Sequence, residues 1–259
     1  MVKRLFLFLV FVLIAIIIVV YFSGKSNFST SRKLSDTPVS PTPDVEGISV
    51  VTLGEDKFAY AILKVRDTEV VDLKPNFSEQ KITEELMNEK ICKYLVNAGF
   101  YQKDFTPIGL FIVNGKVIKK EIKSETFNGF FTIDSEGFPT VGSKLPSVPL
   151  KYGLQSGPLL ILNSKLQELK ITNDDNARRI IAAIGRDNRI VFIVIYNANF
   201  VFSGPNLAAL PSLLQEIAKL ENEIFISAIN LDGGSASSFW GEGINLIELS
   251  PIGSYFCIN

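Results

Sequence analysis

One carboxylate stands where an apolar run meets two glycines. The stretch from Phe225 to Trp240 reads FISAINLDGGSASSFW. Its first half is apolar and β-branched, which predicts a buried strand. The run breaks at Asn230-Leu231-Asp232, and Gly233, Gly234, Ser235, Ser237 and Ser238 follow. Consecutive glycines let the backbone take positive φ and let a ligand approach the main chain. Their N–H groups can form an anion-binding nest with hydroxyl donors beside it. An acid and a nest at one strand end suit a sugar or a phosphate. The same residues equally suit a strand, a Gly-Gly turn and a capped element with no ligand. A second stretch, Asn97-Ala98-Gly99-Phe100-Tyr101, also ends an apolar run. Asn97 offers both a donor and an acceptor, and Gly99 permits a close approach. Tyr101 is either a wall for a sugar ring or an aromatic packed beneath the strand end. Asp104 reads as a solvated loop residue.

The chain has no histidine. That excludes Ser-His-Asp and Cys-His catalysis and His-rich zinc sites. Proton transfer must fall to carboxylates, tyrosine, lysine or water. No cofactor is expected, although a hard cation held by Asp, Asn and carbonyl oxygens stays open.

The segment NLDGGSASSFW resembles the NLDGG-(G/S)-S signature of the phosphodiester glycosidase family. Asn97-Ala98-Gly99-Phe100-Tyr101 with Pro107-Ile108-Gly109-Leu110 is similar to that family's NAG-(M/F)-(F/Y) … P-x-G-L segment. Ser156-Gly157-Pro158-Leu159-Leu160 is similar to its GP-x-L segment. The resemblance runs from about Val50 to the C-terminus. It implies hydrolysis of a sugar-1-phosphodiester at the anomeric carbon. It places Asp232 in the carboxylate role, as base or ion stabiliser, with Asn97 beside it. Gly233, Gly234 and Ser235 would hold the phosphate, and Ser156, Gly157, Gly99 and Asn230 would line the site. The family also carries an arginine before an A-x-G strand, suited to bidentate contact with phosphate. Here Arg178 and Arg179 are adjacent, and neighbouring strand residues face opposite ways, so only one of the two can serve.

Several elements must position these groups. ISVVTL, FAYAILKV and EVVDL predict strands between Gly47 and Val71, with a turn at Gly54–Lys57. Ser78 is expected to cap a short helix reaching Met87, with Ile82 and Leu86 facing the core. Ile91–Val96 is a predicted strand. LFIV-NG-KVI predicts a hairpin on a type I′ turn at Asn114-Gly115, and Phe130–Val141 a second one. Tyr152–Pro158 reads as a loop. IIAAIG and IVFIVIYN make a long hairpin after the polar Asn173–Arg179. Apolar residues at 207, 210, 213, 214, 217 and 220 predict an amphipathic helix. Phe239 and Trp240 are either a sugar platform or buried anchors, and Glu242 sits in a flexible loop. The fold class expected is α+β: a mixed, mostly antiparallel sheet packed by a few helices and preceded by one membrane helix.

That helix is Leu5–Phe22, apolar throughout and following Lys3-Arg4. At 1.5 Å per residue it is roughly 27 Å long, close to a bilayer's hydrocarbon core. Large residues at its end disfavour cleavage as a signal peptide, and the flanking charges put the remainder outside the cytoplasm. Residues 23–46 are rich in Ser, Thr and Pro and read as a linker. Residues 47–259 suffice for one sizeable core. A net charge of −1 with dispersed lysines offers no nucleic-acid surface. Cys92 and Cys257 are expected as buried free thiols, with a disulfide the alternative. The expected partners are a carbohydrate phosphodiester and the membrane; oligomeric state stays open. Two further readings remain beside the hydrolase: a surface module that binds an anionic glycan without turnover, and a structural surface protein.

Overall fold

The computed structural model describes residues 44–89 and 92–259. The predicted anchor Leu5–Phe22 and the linker as far as residue 43 lie outside these. Among the described residues no helix is long and apolar enough to cross a membrane.

In chain order the elements are β1 (Asp44–Leu53), β2 (Asp56–Val65), β3 (Val71–Pro75), α1 (Thr83–Asn88) and β4 (Tyr94–Asn97). Then come β5 (Phe111–Val113), β6 (Lys116–Lys119), β7 (Gly129–Asp134), β8 (Pro139–Gly142), β9 (Leu150–Ser156) and β10 (Leu159–Leu162). The last are β11 (Lys165–Leu166), β12 (Arg179–Gly185), β13 (Ile190–Tyr196), α2 (Leu210–Leu220), β14 (Phe225–Asn230), β15 (Phe239–Gly241), β16 (Ile244–Leu246) and β17 (Ser254–Ile258).

These strands form three sheets rather than one. The largest has the order β1-β2-β13-β12-β14-β10-β11, and two five-stranded sheets have the orders β16-β15-β4-β17-β3 and β6-β5-β9-β7-β8. Every described strand pair is antiparallel. The large sheet is covered on both faces. Ile180, Ala182, Ile184, Phe192 and Val194 join β3, β4, β7, β9 and β17 in one core. Ile181, Ala183, Val191, Ile193 and Ile195 pack against Leu210, Leu213, Leu214 and Ile217 of α2. A strand buried on both faces reads as a continuous apolar run, as β12 and β13 do. Phe131, Phe192 and Phe256 meet where the three sheets converge, with centroids 4.9 to 6.4 Å apart.

The Asn114-Gly115 turn takes φ of 49° and 76°, as a type I′ hairpin requires. Other expectations are corrected. β1 starts at Asp44, inside the predicted linker. The first helix starts at Thr83, not near Ser78. Glu85 supplies its cap by accepting from the Ile82 N–H at 3.1 Å. Leu86 is buried but Ile82 is exposed, because Ile82 precedes the first turn and is not on its inner face. Tyr152–Ser156 continues strand β9 rather than forming a loop, since it pairs with β7 as far as Gly129–Ser156. Glu242 is exposed at the β15–β16 turn. Phe239 is buried in the core, so it is no platform.

Cys92 and Cys257 form a disulfide across a separation of 165 residues. The expectation of free thiols is overturned by register. Cys257 pairs with Leu95 on neighbouring strands, which brings Cys92 to its side. Trp240, Leu86 and Ile252 pack around the bond.

Candidate active site

The end of β14 is held in place by its neighbours. The Leu231 N–H donates to the Ile180 carbonyl at 2.8 Å, and the Asp232 N–H to the Ala98 carbonyl at 3.0 Å. Asp232 thus leaves the large sheet and docks on the end of β4. Asn97, 1 % exposed, ties the two strands together. Its Nδ2 donates to the Asp232 carbonyl at 2.7 Å, and its Oδ1 accepts from the Ser238 N–H at 2.8 Å. Asn97 therefore spans the base of the 232–238 loop. Both ends of its amide are occupied by the backbone of that loop.

The Asp232 side chain lies in a recess, partly open to solvent yet surrounded by protein. Burial pushes its carboxyl up to about 8, and the Gly233 N–H, donating to Oδ1 at 2.9 Å, opposes that shift. Desolvation wins because one neutral donor offsets only part of the cost of burying a charge. A carboxyl raised in this way keeps its proton to higher pH than an ordinary aspartate.

The predicted nest is not formed by the two glycine N–H groups. That of Gly233 is taken by Asp232, and that of Gly234 donates to the Arg178 carbonyl at 2.8 Å. Gly234 needs to be glycine because its φ is +64°. Ser235 is exposed, and its Oγ lies 3.1 Å from Ser250 Oγ. Its carbonyl accepts from Leu249 and Ser250, which draws residues 249–251 beside the recess. Tyr101 closes that side, donating from its hydroxyl to the Pro251 carbonyl at 2.6 Å and stacking on Phe105. Burial, with the Asp232 charge second, raises its phenol.

Both arginines are engaged by protein groups, although Arg178 Nη1 is buried with no hydrogen-bond partner among the described residues. Arg178 is fully buried. Its Nε donates to Ser237 Oγ at 2.6 Å, its Nη2 to the carbonyls of Ser237 and Ile247, and its guanidinium lies 5.0 Å from the Phe202 ring. Burial lowers it to about 10, with Glu248 opposing, so it stays protonated at neutral pH. Arg178 is the clamp of the 237 and 247 segments. Arg179 turns to the other face, as strand alternation demands. It donates from Nε to the Pro205 carbonyl at 3.0 Å and pairs with Asp174 at 3.4 Å.

The third motif supports the strand end from behind. Ser156 Oγ donates to the Asn230 carbonyl at 2.6 Å, and Asn230 Nδ2 donates to the Gly157 carbonyl at 3.0 Å. The Gly157 N–H also reaches the Asn230 carbonyl, at 3.2 Å. These three residues brace β14. Gly99 donates its N–H to Ser254 Oγ at 3.1 Å. A methyl there would meet nothing nearer than 3.9 Å, so no tight approach to protein explains this glycine. Asp104 is solvent-exposed and accepts from the Thr106 N–H and hydroxyl.

Sequence reasoning missed Glu248, whose Oε1 accepts from the Thr83 N–H at 2.6 Å. It also missed Ser254 and Ser250. The one signal for Glu248 was a lone acid between Ile247 and Leu249. Among the described residues no group of acidic or cysteine side chains could hold a metal ion.

The catalytic domain of zebrafish N-acetylglucosamine-1-phosphodiester alpha-N-acetylglucosaminidase, solved auto-inhibited by its pro-peptide, is 17% identical with a TM-score of 0.66. The match covers 87% of this chain and 86% of that one. A hypothetical protein from Synechocystis is 14% identical with a TM-score of 0.54, covering 85% of this chain and 64% of its own. At these identities the likeness is one of fold. No curated protein matches the chain. The family described as phosphodiester glycosidase matches residues 91–255, which span Asn97, Ser156, Arg178 and Asp232. With all three motifs converging on one strand end inside that match, the chain belongs to the phosphodiester glycosidase family.

Proposed function

We propose that the protein hydrolyses the bond between an anomeric carbon and phosphate in a sugar-1-phosphodiester. The observation that carries this reading is the Asp232 carboxyl at the end of β14, which accepts from the Gly233 N–H and is pushed up to about 8 by burial, while Asn97 fixes its backbone carbonyl. A general acid works best when its pKa lies near the operating pH. As the C1–O bond breaks, its electron pair goes to the phosphate oxygen, and Asp232 passes its proton there. Water then bonds to C1, and the Asp232 carboxylate takes that water's proton, restoring the acid. Phosphate is a weakly basic leaving group, so it needs less help from an acid than the alcohol of an ordinary glycoside.

We place this domain outside the cytoplasm on the uncleaved Leu5–Phe22 anchor. The apolar run, Lys3-Arg4 and the Cys92–Cys257 bond support that placement.

A surface module that binds an anionic glycan without turnover is the second reading. It draws on the causes of the Asp232 shift, which among the described residues are burial and the Gly233 N–H with no carboxylate beside them. The two readings separate on release of reducing sugar from a panel of sugar-1-phosphodiesters. The hydrolase reading expects release that falls about 1000-fold in Asp232→Asn. Full activity in that variant sinks the assignment. Saturable binding without release supports the second reading.

A further inference from the structure

Between β6 and β7 the chain forms no regular element. Lys120–Asn128 runs as an irregular strap, bonded at both Ile122 and Phe127 by the Gln155 side chain, which is 3 % exposed. Its Oε1 accepts from the Ile122 N–H at 2.9 Å and the Leu110 N–H at 3.2 Å. Its Nε2 donates to the Ile122 carbonyl at 2.7 Å and the Phe127 carbonyl at 2.8 Å. The amide is thereby fully engaged. Gly109 makes room for it, because a Cβ at that position would lie 2.2 Å from Gln155 Oε1. The Pro107–Leu110 motif thus serves the strap, and not Asp232 directly.

The far end of the strap meets the Phe100 and Gly157–Leu159 segments. The Phe127 and Phe100 rings lie 5.0 Å apart, and Phe100 follows Gly99. A Cβ on Gly157 would lie 2.2 Å from the Thr126 carbonyl. Asn128 Oδ1 accepts from the Leu159 N–H at 2.8 Å. The strap therefore borders both segments that brace Asp232.

Beside it opens a cavity of about 370 Å³. Lys123, Ser124, Asn128 and Ser143 line it with donors, Phe127 and Phe130 give it apolar surface, and Glu121 sits among them. Residues 116–125 hold four lysines and two glutamates, in a chain whose net charge is −1. A half-open cavity with an ammonium, an amide and two hydroxyls suits a polyol bearing phosphate.

We propose that this cavity is a second subsite, which takes the leaving-group side of the phosphodiester when that group carries further hydroxyls and a second phosphate. The inference rests on the hydrolase reading for its role and on the cavity for its chemistry. On this account the substrate is a segment of a phosphate-linked polyol chain, not the ester of a simple alcohol.

Two measurements on the full-length protein in detergent test it. The first compares kcat/KM for a sugar-1-phosphate methyl ester with that for the corresponding glycerol-3-phosphate ester. The wild type is expected to prefer the second by at least about tenfold, and Lys123→Glu to erase that preference. Equal rates for the two esters in the wild type, or an unchanged preference in the variant, overturn the proposal. The second is calorimetric titration with a tri(glycerol phosphate), which needs no turnover. Saturable binding that weakens at least about tenfold in Lys123→Glu and not in Lys170→Ala supports the subsite. No binding, or equal loss in both variants, overturns it even if the methyl ester is cleaved. Binding with no cleavage of either ester removes the hydrolase reading and leaves the polyol phosphate site standing.

Discussion

Asn97 holds Asp232 by its backbone, not by its carboxyl: the amide reaches the Asp232 carbonyl at 2.7 Å while the same side chain accepts from Ser238 at 2.8 Å. The acid is thus aimed by a bridge spanning the loop that follows it. Removing the bridge in Asn97→Ala leaves a buried N–H and a buried carbonyl unpaired. The expected cost is about 2–4 kcal/mol, read as a lower denaturation midpoint, with kcat falling as Asp232 loses its orientation. Asn97→Asp keeps the acceptor for Ser238 but sets an oxygen against the Asp232 carbonyl, so it is expected to rescue little. An Asn97→Ala protein of wild-type stability contradicts the bridge.

The elevated Asp232 carboxyl makes stability depend on pH in a definite direction. Its folded value of about 8 lies above the unfolded value of about 3.9. Below pH about 4 both states are protonated and nothing is lost. Between pH about 4 and 8 the unfolded chain releases this proton while the folded one keeps it, so rising pH favours unfolding. Asp232→Asn abolishes that loss. Melting curves at several pH values are expected to show the variant gaining on the wild type across that window, with no further gain above it. Parallel curves contradict the shift.

The same group sets the activity profile. Turnover is expected to fall as pH rises through about 8, because the donor proton is lost. A rate that climbs from pH 6 to 9 contradicts an acid at Asp232.

The adjacent arginines are predicted to differ in kind. Arg178 bridges Ser237 and Ile247 from a fully buried position, and a lysine cannot reproduce that fork. Arg178→Lys is expected to destabilise by about 2–4 kcal/mol. Arg179→Lys, at a mostly buried pair with Asp174 whose partner segments are less enclosed, is expected to cost less than Arg178→Lys. Thermal melts of the two variants check the order.

The Cys92–Cys257 bond closes a loop spanning 165 residues of separation and ties β17 to the approach of β4, which carries Asn97. Reduction, or Cys92→Ser with Cys257→Ser, is expected to cost about 2–5 kcal/mol. Differential scanning with and without a reductant measures it, and an unchanged transition contradicts the bond.

Local chemistry was legible in the sequence. The Asn114-Gly115 turn, the apolar β12–β13 hairpin and the period of the Leu207–Leu220 helix each follow from neighbours within a few residues. So did the strand end bearing Asp232, since a buried strand stopping at Asp-Gly-Gly is a local pattern. What needed the tertiary structure was every partner chosen across the chain. The glycine N–H groups looked free because sequence does not show that Arg178 and Asp232 itself accept from them. Either arginine looked able to meet phosphate, since strand alternation separates them without saying which face is buried. The cysteines looked independent until the β4–β17 register set them side by side. Gln155, unremarked in the sequence, gained its role from four bonds to segments 28 to 45 residues away. Backbone geometry and periodicity act over a few residues and can be read from order alone. Hydrogen-bond satisfaction and burial act between segments distant in sequence, and only the packed sheets decide them.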